Sequence, residues 1–117
     1  MSLEVKSQVI RSPEGLVKFW VPSTKGRRHF HLGVWIDGSA EELDRIAHVE
    51  YLLNDSFNKP LRRSENRENK FSITFWTWGM FGLRVTIFLR DGTKQTINYY
   101  LSYELPPEKS AFVQVFE

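Results

Sequence analysis

The sequence predicts a small all-β sandwich, because apolar and polar residues alternate along most of the chain and turn-forming residues separate the alternating runs. Period-two alternation places successive side chains on opposite faces of a strand. With 117 residues the chain has the length of one domain, and no linker, repeat or low-complexity segment divides residues 1–117. We therefore expect one antiparallel sandwich of about seven to eight strands.

The clearest alternation predicts a strand from Phe81 to Leu89. Asp91 and Gly92 follow it, and this pair predicts a two-residue hairpin with a type I′ turn and a returning strand from Thr93 to Leu101. Similar alternation predicts strands at 30–36, 47–53 and 71–75, and weaker patterns predict strands at 4–10 and 111–116.

Helix signals are confined to residues 39–46, where Ser39 precedes Glu42 by three positions. This spacing allows a capping box with about two turns of helix, or a structured loop, and the sequence does not separate the two. Residues 61–70 are polar and without periodicity, which predicts a solvated loop.

Composition excludes several classes of function. The chain has no Cys, which excludes disulfides, thiolate metal sites and a Cys nucleophile. No Gly-x-Ser-x-Gly elbow or Gly-rich phosphate loop is found, so we expect no enzyme and no cofactor. There is no apolar run of membrane-spanning length and no signal peptide, so we expect a cytoplasmic protein without a membrane partner.

Two groups of charged or metal-binding residues have simple explanations. His29 and His31 share one strand face as a zinc pair would, but without a third ligand they are better explained as a half-exposed strand pair. The basic runs at 25–28 and 62–63 are better explained as solvated loops. With a net charge of only +2, nucleic acid is not the expected partner.

Aromatic residues make up 15% of the chain, more than a small core needs, so some are expected to line a binding surface. Trp76 and Trp78 project to one side of their segment, opposite Phe75. Either Trp78 forms the wall of a pocket, or the two rings cover one end of the sandwich or the second sheet.

Three stretches resemble the YEATS family. Residues 49–60, with Asn54-Asp55-Ser56-Phe57 and then Pro60, resemble a strand that leads into the family's His-x-Ser-Phe/Thr-Phe loop. Residues 75–81 resemble its Gly-Trp-Gly-Glu-Phe loop, and residues 29–38 its early strand. The aromatic second loop is most similar to the prokaryotic branch.

This resemblance implies an immunoglobulin-like sandwich that binds a peptide, with acyl-lysine as the ligand of the eukaryotic members. The hydroxyl of Ser56 would accept the acyl-amide N–H, and the rings of Phe57 and Trp78 would enclose the amide. The full set of expected ligand-binding residues is Asn54, Ser56, Phe57, Trp78, Gly79, Phe81 and Phe30. Asn54 stands where the family has a pocket His, and Thr77 and Met80 also depart from the pattern.

We therefore expect a non-catalytic recognition module for a protein or peptide, accessory to a bacterial signalling or defence protein. One alternative is a structural or protein-interaction sandwich whose pocket Met80 fills. Carbohydrate binding through exposed Trp rings is a further alternative.

Overall fold

The computed structural model describes residues 3–22 and 26–116, and these residues form nine strands, one short α-helix and two turns of 3-10 helix. The strands are β1 (Glu4–Val9), β2 (Val17–Trp20), β3 (His29–Asp37), β4 (Ile46–Leu52), β5 (Leu61–Ser64), β6 (Ile73–Thr77), β7 (Phe81–Leu89), β8 (Lys94–Leu101) and β9 (Phe112–Gln114). Helix α1 spans Ala40–Asp44, and the 3-10 turns span Arg67–Asn69 and Lys109–Ala111.

The strands form two sheets. In the first sheet β3 pairs antiparallel with β1, β2 and β6, and β2 pairs in parallel with β9. The second sheet has the antiparallel order β5-β4-β7-β8. The predicted all-β sandwich is thus confirmed, with one parallel pairing that the sequence did not predict.

The core lies between the inner faces of the two sheets. Leu32, Val34 and Ile36 of β3 are fully buried, and so are Val85 and Ile87 of β7. These positions are those that the alternation assigned to one face of each strand, and each buried aliphatic side chain contributes about 1.5–3 kcal/mol to folding. The hydrophobic pattern therefore fixes which face of β3 and β7 points inward.

The prediction of a solvated loop over residues 61–70 was wrong. Residues 61–64 form β5, which pairs with β4, and residues 67–69 form a 3-10 turn. Strand β2 was not predicted at all. Strand β6 begins only at Ile73, because Lys70 and Phe71 have positive φ angles of 60° and 57° and interrupt the extended chain.

The hairpin between β7 and β8 is present, but its turn is not type I′. Only Gly92 has a positive φ, at 92°, whereas a type I′ turn requires two such residues. The N–H of Gly92 donates to the carbonyl of Leu89 at 3.1 Å, and the N–H of Leu89 donates to Thr93 at 2.8 Å. The loop therefore has three residues, a type I turn followed by a left-handed glycine.

Helix α1 has the capping box that the Ser39 and Glu42 spacing predicts. The Glu42 N–H donates to the Ser39 hydroxyl at 3.1 Å, and the Ser39 N–H donates to the Glu42 carboxylate at 2.9 Å. The helix has five residues, so the predicted two turns are shortened to little more than one. Nothing helical in residues 3–22 and 26–116 has the length and apolar character needed to cross a membrane.

Candidate functional site

Two connecting loops meet at the end of the sandwich where β4 and β6 end and β7 begins. The first, residues 53–60, is closed by a 2.7 Å hydrogen bond from the N–H of Leu53 to the carbonyl of Pro60. Inside it, Asn54 forms an Asx turn: its Oδ1 accepts from the N–H of Ser56 at 3.0 Å, and its carbonyl accepts from Phe57 at 3.0 Å. This turn fixes the two residues that follow Asn54.

The second loop, residues 78–80, takes the chain from β6 in the first sheet to β7 in the second. Thr77, at its start, is buried, and its hydroxyl donates to the carbonyl of Gly79 at 3.1 Å. The same hydroxyl oxygen accepts from the Gly79 N–H at 3.3 Å. A single buried Thr thus holds this three-residue loop in a fixed turn.

The two loops enclose a cavity of about 250 Å³. Six of the seven residues expected to bind ligand line it: Asn54, Ser56, Phe57, Trp78, Gly79 and Phe81. Its remaining lining residues are His29, Trp76, Thr77 and Met80. No Asp, Glu, Lys or Arg is among these ten residues, so the lining carries no carboxylate, ammonium or guanidinium group.

A cluster of three aromatic rings supports the first loop. The ring of Phe57 lies 5.5 Å from that of Phe75, edge to face, and 5.3 Å from that of Phe81. Phe75 is almost fully buried and lies 6.0 Å from Phe81, so each ring contacts the other two. Such pairs contribute about 0.5–1.5 kcal/mol each beyond the area they bury, which holds the Phe57 ring in place at the cavity.

Trp78 also lines the cavity, at the solvent boundary, and is 50% exposed. The guanidinium carbon of Arg27 lies 4.4 Å from the centroid of its ring. Met80 is 48% exposed and lines the cavity without filling it. The rings of Phe57 and Trp78 therefore border one cavity that remains open between the two loops.

Comparison with known proteins identifies the family of this chain. A family model for the prokaryotic YEATS domain matches residues 30–102, which is more than half of the chain. The chain belongs to this family.

Solved YEATS structures share its fold. A crystal structure of the yeast AF-9 homolog Yaf9 has a TM-score of 0.55 and 18% identity, over 88% of this chain and 68% of that chain. The structure of the Yaf9 YEATS domain bound to H3K27ac has a TM-score of 0.54 and 16% identity, over 92% of this chain and 79% of that chain. The structure of the Yaf9 YEATS domain recognising an H3K122suc peptide has a TM-score of 0.52 and 17% identity, over 91% of this chain and 77% of that chain. Search of curated proteins found no match. The sandwich is thus the immunoglobulin-like one of YEATS domains.

Phe30 does not line the cavity of this YEATS domain, contrary to expectation. Its side chain is 8% exposed and lies 6.2 Å from the rings of both Tyr103 and Phe112. Alternation along β3 explains this placement, because Phe30 shares its face with buried Leu32 and points into the core. Phe30 is a core residue at this end of the sandwich.

Four cavity residues were not among the expected ligand-binding set, of which His29 is the most informative. Phe30 pairs with Thr77 across β3 and β6, so His29 comes beside Trp78 at the same end of the sheet. Only the pairing register reveals this neighbour, and the sequence alone does not give it. His29 also contacts the ring of Trp20, at 5.6 Å.

Trp76 shares the outer face of the first sheet with His31. The two rings are parallel and 4.5 Å apart. Burial lowers the pKa of His31, and the nearby charge of Lys18 lowers it further. Within residues 3–22 and 26–116, His29 and His31 have no third residue with which to form a metal site. Residue 25, the first of the predicted basic run, lies outside the described residues.

Proposed function

We propose that this YEATS domain is a non-catalytic recognition module that binds an acylated side chain of a peptide, such as acyl-lysine, between its two cavity loops. One observation carries the proposal: Asn54, Ser56 and Phe57 border a single open cavity together with residues 78–81, at the end of the sandwich. Its volume of about 250 Å³ is below the range of about 300–1,000 Å³ found for small-molecule sites. It therefore suits one side chain.

The lining favours a neutral, flat group. An ammonium in the cavity would meet no carboxylate, because the lining residues include no Asp or Glu, and burying an unpaired charge is unfavourable. An amide is neutral and planar, so it can stack against the rings of Phe57 and Trp78 and still form hydrogen bonds. An acylated lysine has this chemistry, whereas unmodified lysine does not.

Polar groups of the two loops supply the hydrogen bonds in this proposal. The hydroxyl of Ser56 accepts the amide N–H, and the backbone N–H of Trp78 donates to the acyl oxygen. Asn54 Oδ1 already accepts from the Ser56 N–H, so in this proposal Asn54 shapes the loop. Two ring contacts and two hydrogen bonds, less the loss of peptide freedom, favour affinities of roughly micromolar to millimolar.

Yaf9 supports the ligand class, since its YEATS domain has been solved bound to H3K27ac and recognising an H3K122suc peptide. The family assignment supports a binding role without catalysis. In this proposal the partner is a protein or peptide, and the domain needs no cofactor.

The test is titration of ¹⁵N-labelled protein with matched peptides that carry acetyl-lysine or unmodified lysine, followed by NMR. We expect shifts confined to residues 54–57 and 77–81 with the acetylated peptide only. Trp78→Ala should abolish them, and Trp78→Phe, which keeps a ring, should retain part of the affinity. The absence of chemical-shift changes up to millimolar acetylated peptide would refute the proposal.

A further inference from the structure

Arg27, which contacts Trp78 of the cavity lining, and its neighbour Arg28 each stack on an aromatic ring. Arg27 lies 4.4 Å over the ring of Trp78, and the guanidinium carbon of Arg28 lies 4.5 Å over the ring of Phe19. Both side chains are exposed. In the part of the chain that the structure describes, neither arginine forms an ion pair with a carboxylate. Stacking on rings orients these cations without neutralising them.

Some basic side chains elsewhere in the described residues are neutralised by nearby acids. Lys70 pairs with Asp37 at 3.6 Å, and Arg67 pairs with Asp44 at 2.8 Å, both away from the cavity end of the strands. Arg63, in β5, pairs at 3.2 Å with Glu65, which directly follows that strand. Arg27 differs in that it contacts a residue of the cavity lining, Trp78, and forms no ion pair with a carboxylate in the part of the chain that the structure describes.

The position of Arg27 indicates which part of a ligand it would meet. Arg27 contacts the ring of Trp78 but is not among the residues that line the cavity. Its guanidinium therefore faces what lies beside the inserted side chain, not the tip of that side chain. A peptide bound through one side chain would place its neighbouring residues at this point.

We infer, on the basis of the proposed function, that the natural ligand is an acidic segment: a Glu or Asp next to the acylated residue lies against Arg27. A basic segment, such as one in which lysines flank the acylated residue, meets like charge there and binds more weakly. The charge at the rim thus selects among acylated peptides that the cavity itself does not distinguish.

The experiment compares acetyl-lysine peptides of equal length flanked on both sides by Glu, by Gln or by Lys, in fluorescence-polarisation titrations. We expect the Glu peptide to bind about two- to fivefold more tightly than the Gln peptide at low salt, and the Lys peptide to bind more weakly. The difference should shrink as NaCl is raised to about 0.5 M, because salt screens exposed charges.

Variants test whether Arg27 is the cause. Arg27→Gln should abolish the preference for Glu, and Arg27→Lys should restore it in part. Lys94→Gln removes the same charge at the hairpin end of β8, remote from the cavity, and should leave the preference intact. A succinyl-lysine peptide with Gln flanks carries its carboxylate on the acyl chain and not on a neighbouring residue. We expect Arg27→Gln to leave the affinity for this peptide unchanged.

Equal affinity for the Glu and Lys peptides would overturn the inference while leaving the proposed function standing. A preference for the Glu peptide that persists in Arg27→Gln would also overturn it. So would a result in which Arg27 raises the affinity for the succinyl peptide but not for the Glu peptide. If no acylated peptide binds, the proposed function fails and this inference fails with it.

Discussion

The backbone N–H of Ser56 donates a 3.0 Å hydrogen bond to Oδ1 of Asn54. This bond closes an Asx turn at the point where the YEATS pattern has a histidine, and it places Ser56 and Phe57 at the cavity. The Asn therefore shapes the loop through the backbone.

This assignment predicts the effects of two substitutions at Asn54. Asn54→Ala removes the acceptor of one net hydrogen bond worth about 0.5–1.5 kcal/mol and should weaken binding of an acetyl-lysine peptide about two- to tenfold. Asn54→Asp keeps the acceptor and should preserve the amide chemical shifts of residues 55–57. Wild-type affinity in Asn54→Ala, measured by NMR titration, would show that the Asx turn is dispensable.

A second prediction concerns Tyr51, whose hydroxyl donates a 2.6 Å hydrogen bond to the carbonyl of Phe71. Tyr51 is fully buried, and burial raises the pKa of its hydroxyl. Tyr51→Phe leaves the Phe71 carbonyl without this donor, so the free energy of unfolding should fall by about 1–3 kcal/mol. Urea denaturation measures this, and Tyr100→Phe, at a 62% exposed site, should change it by less than about 0.5 kcal/mol.

His31 predicts a pH dependence of stability. Burial and Lys18 lower its pKa below the ordinary value of about 6.5 for imidazole, so the unfolded chain binds a proton at a higher pH than the folded one. Stability therefore falls as the pH falls below about 6.5. Urea denaturation at pH 7 and pH 5 should show this loss, and His31→Gln should reduce it. An unchanged pH slope in His31→Gln would exclude His31 as the cause.

Substitution of Met80 tests whether the cavity is open or blocked in solution. Its side chain is 48% exposed and borders a volume that stays free, so Met80→Ala should change peptide affinity by less than about threefold and stability by less than about 0.5 kcal/mol. Isothermal titration and urea denaturation check the two values. A large gain in affinity would instead show that Met80 blocks the cavity in solution, as a purely structural domain would require.

The sequence predicted the long strands because their alternation is strong and local. It missed β2, whose four residues pair with β3 and, in parallel, with β9 more than 90 positions away in sequence. It also missed β5, since Ser64 is its only buried residue and the strand has no apolar inner face to recognise. At Asp91 and Gly92 it predicted the hairpin but not the loop length, which backbone hydrogen bonds decide.

Six residues expected from the family resemblance border the cavity, because each lies in, or directly after, one of the two loops that the resemblance covers. Phe30 was misplaced because its strand face, not its position in the chain, decides what it contacts. His29 and the contact between Arg27 and Trp78 depend on how distant segments come together, which local patterns do not encode.

Binding of an acetyl-lysine side chain between the two loops is tested by measuring intermolecular NOEs on ¹³C-labelled protein with an acetyl-lysine peptide. We expect NOEs from the acetyl methyl group to ring protons of both Phe57 and Trp78. NOEs only to residues outside the two loops, such as Trp35 on the outer face of the first sheet, would contradict it.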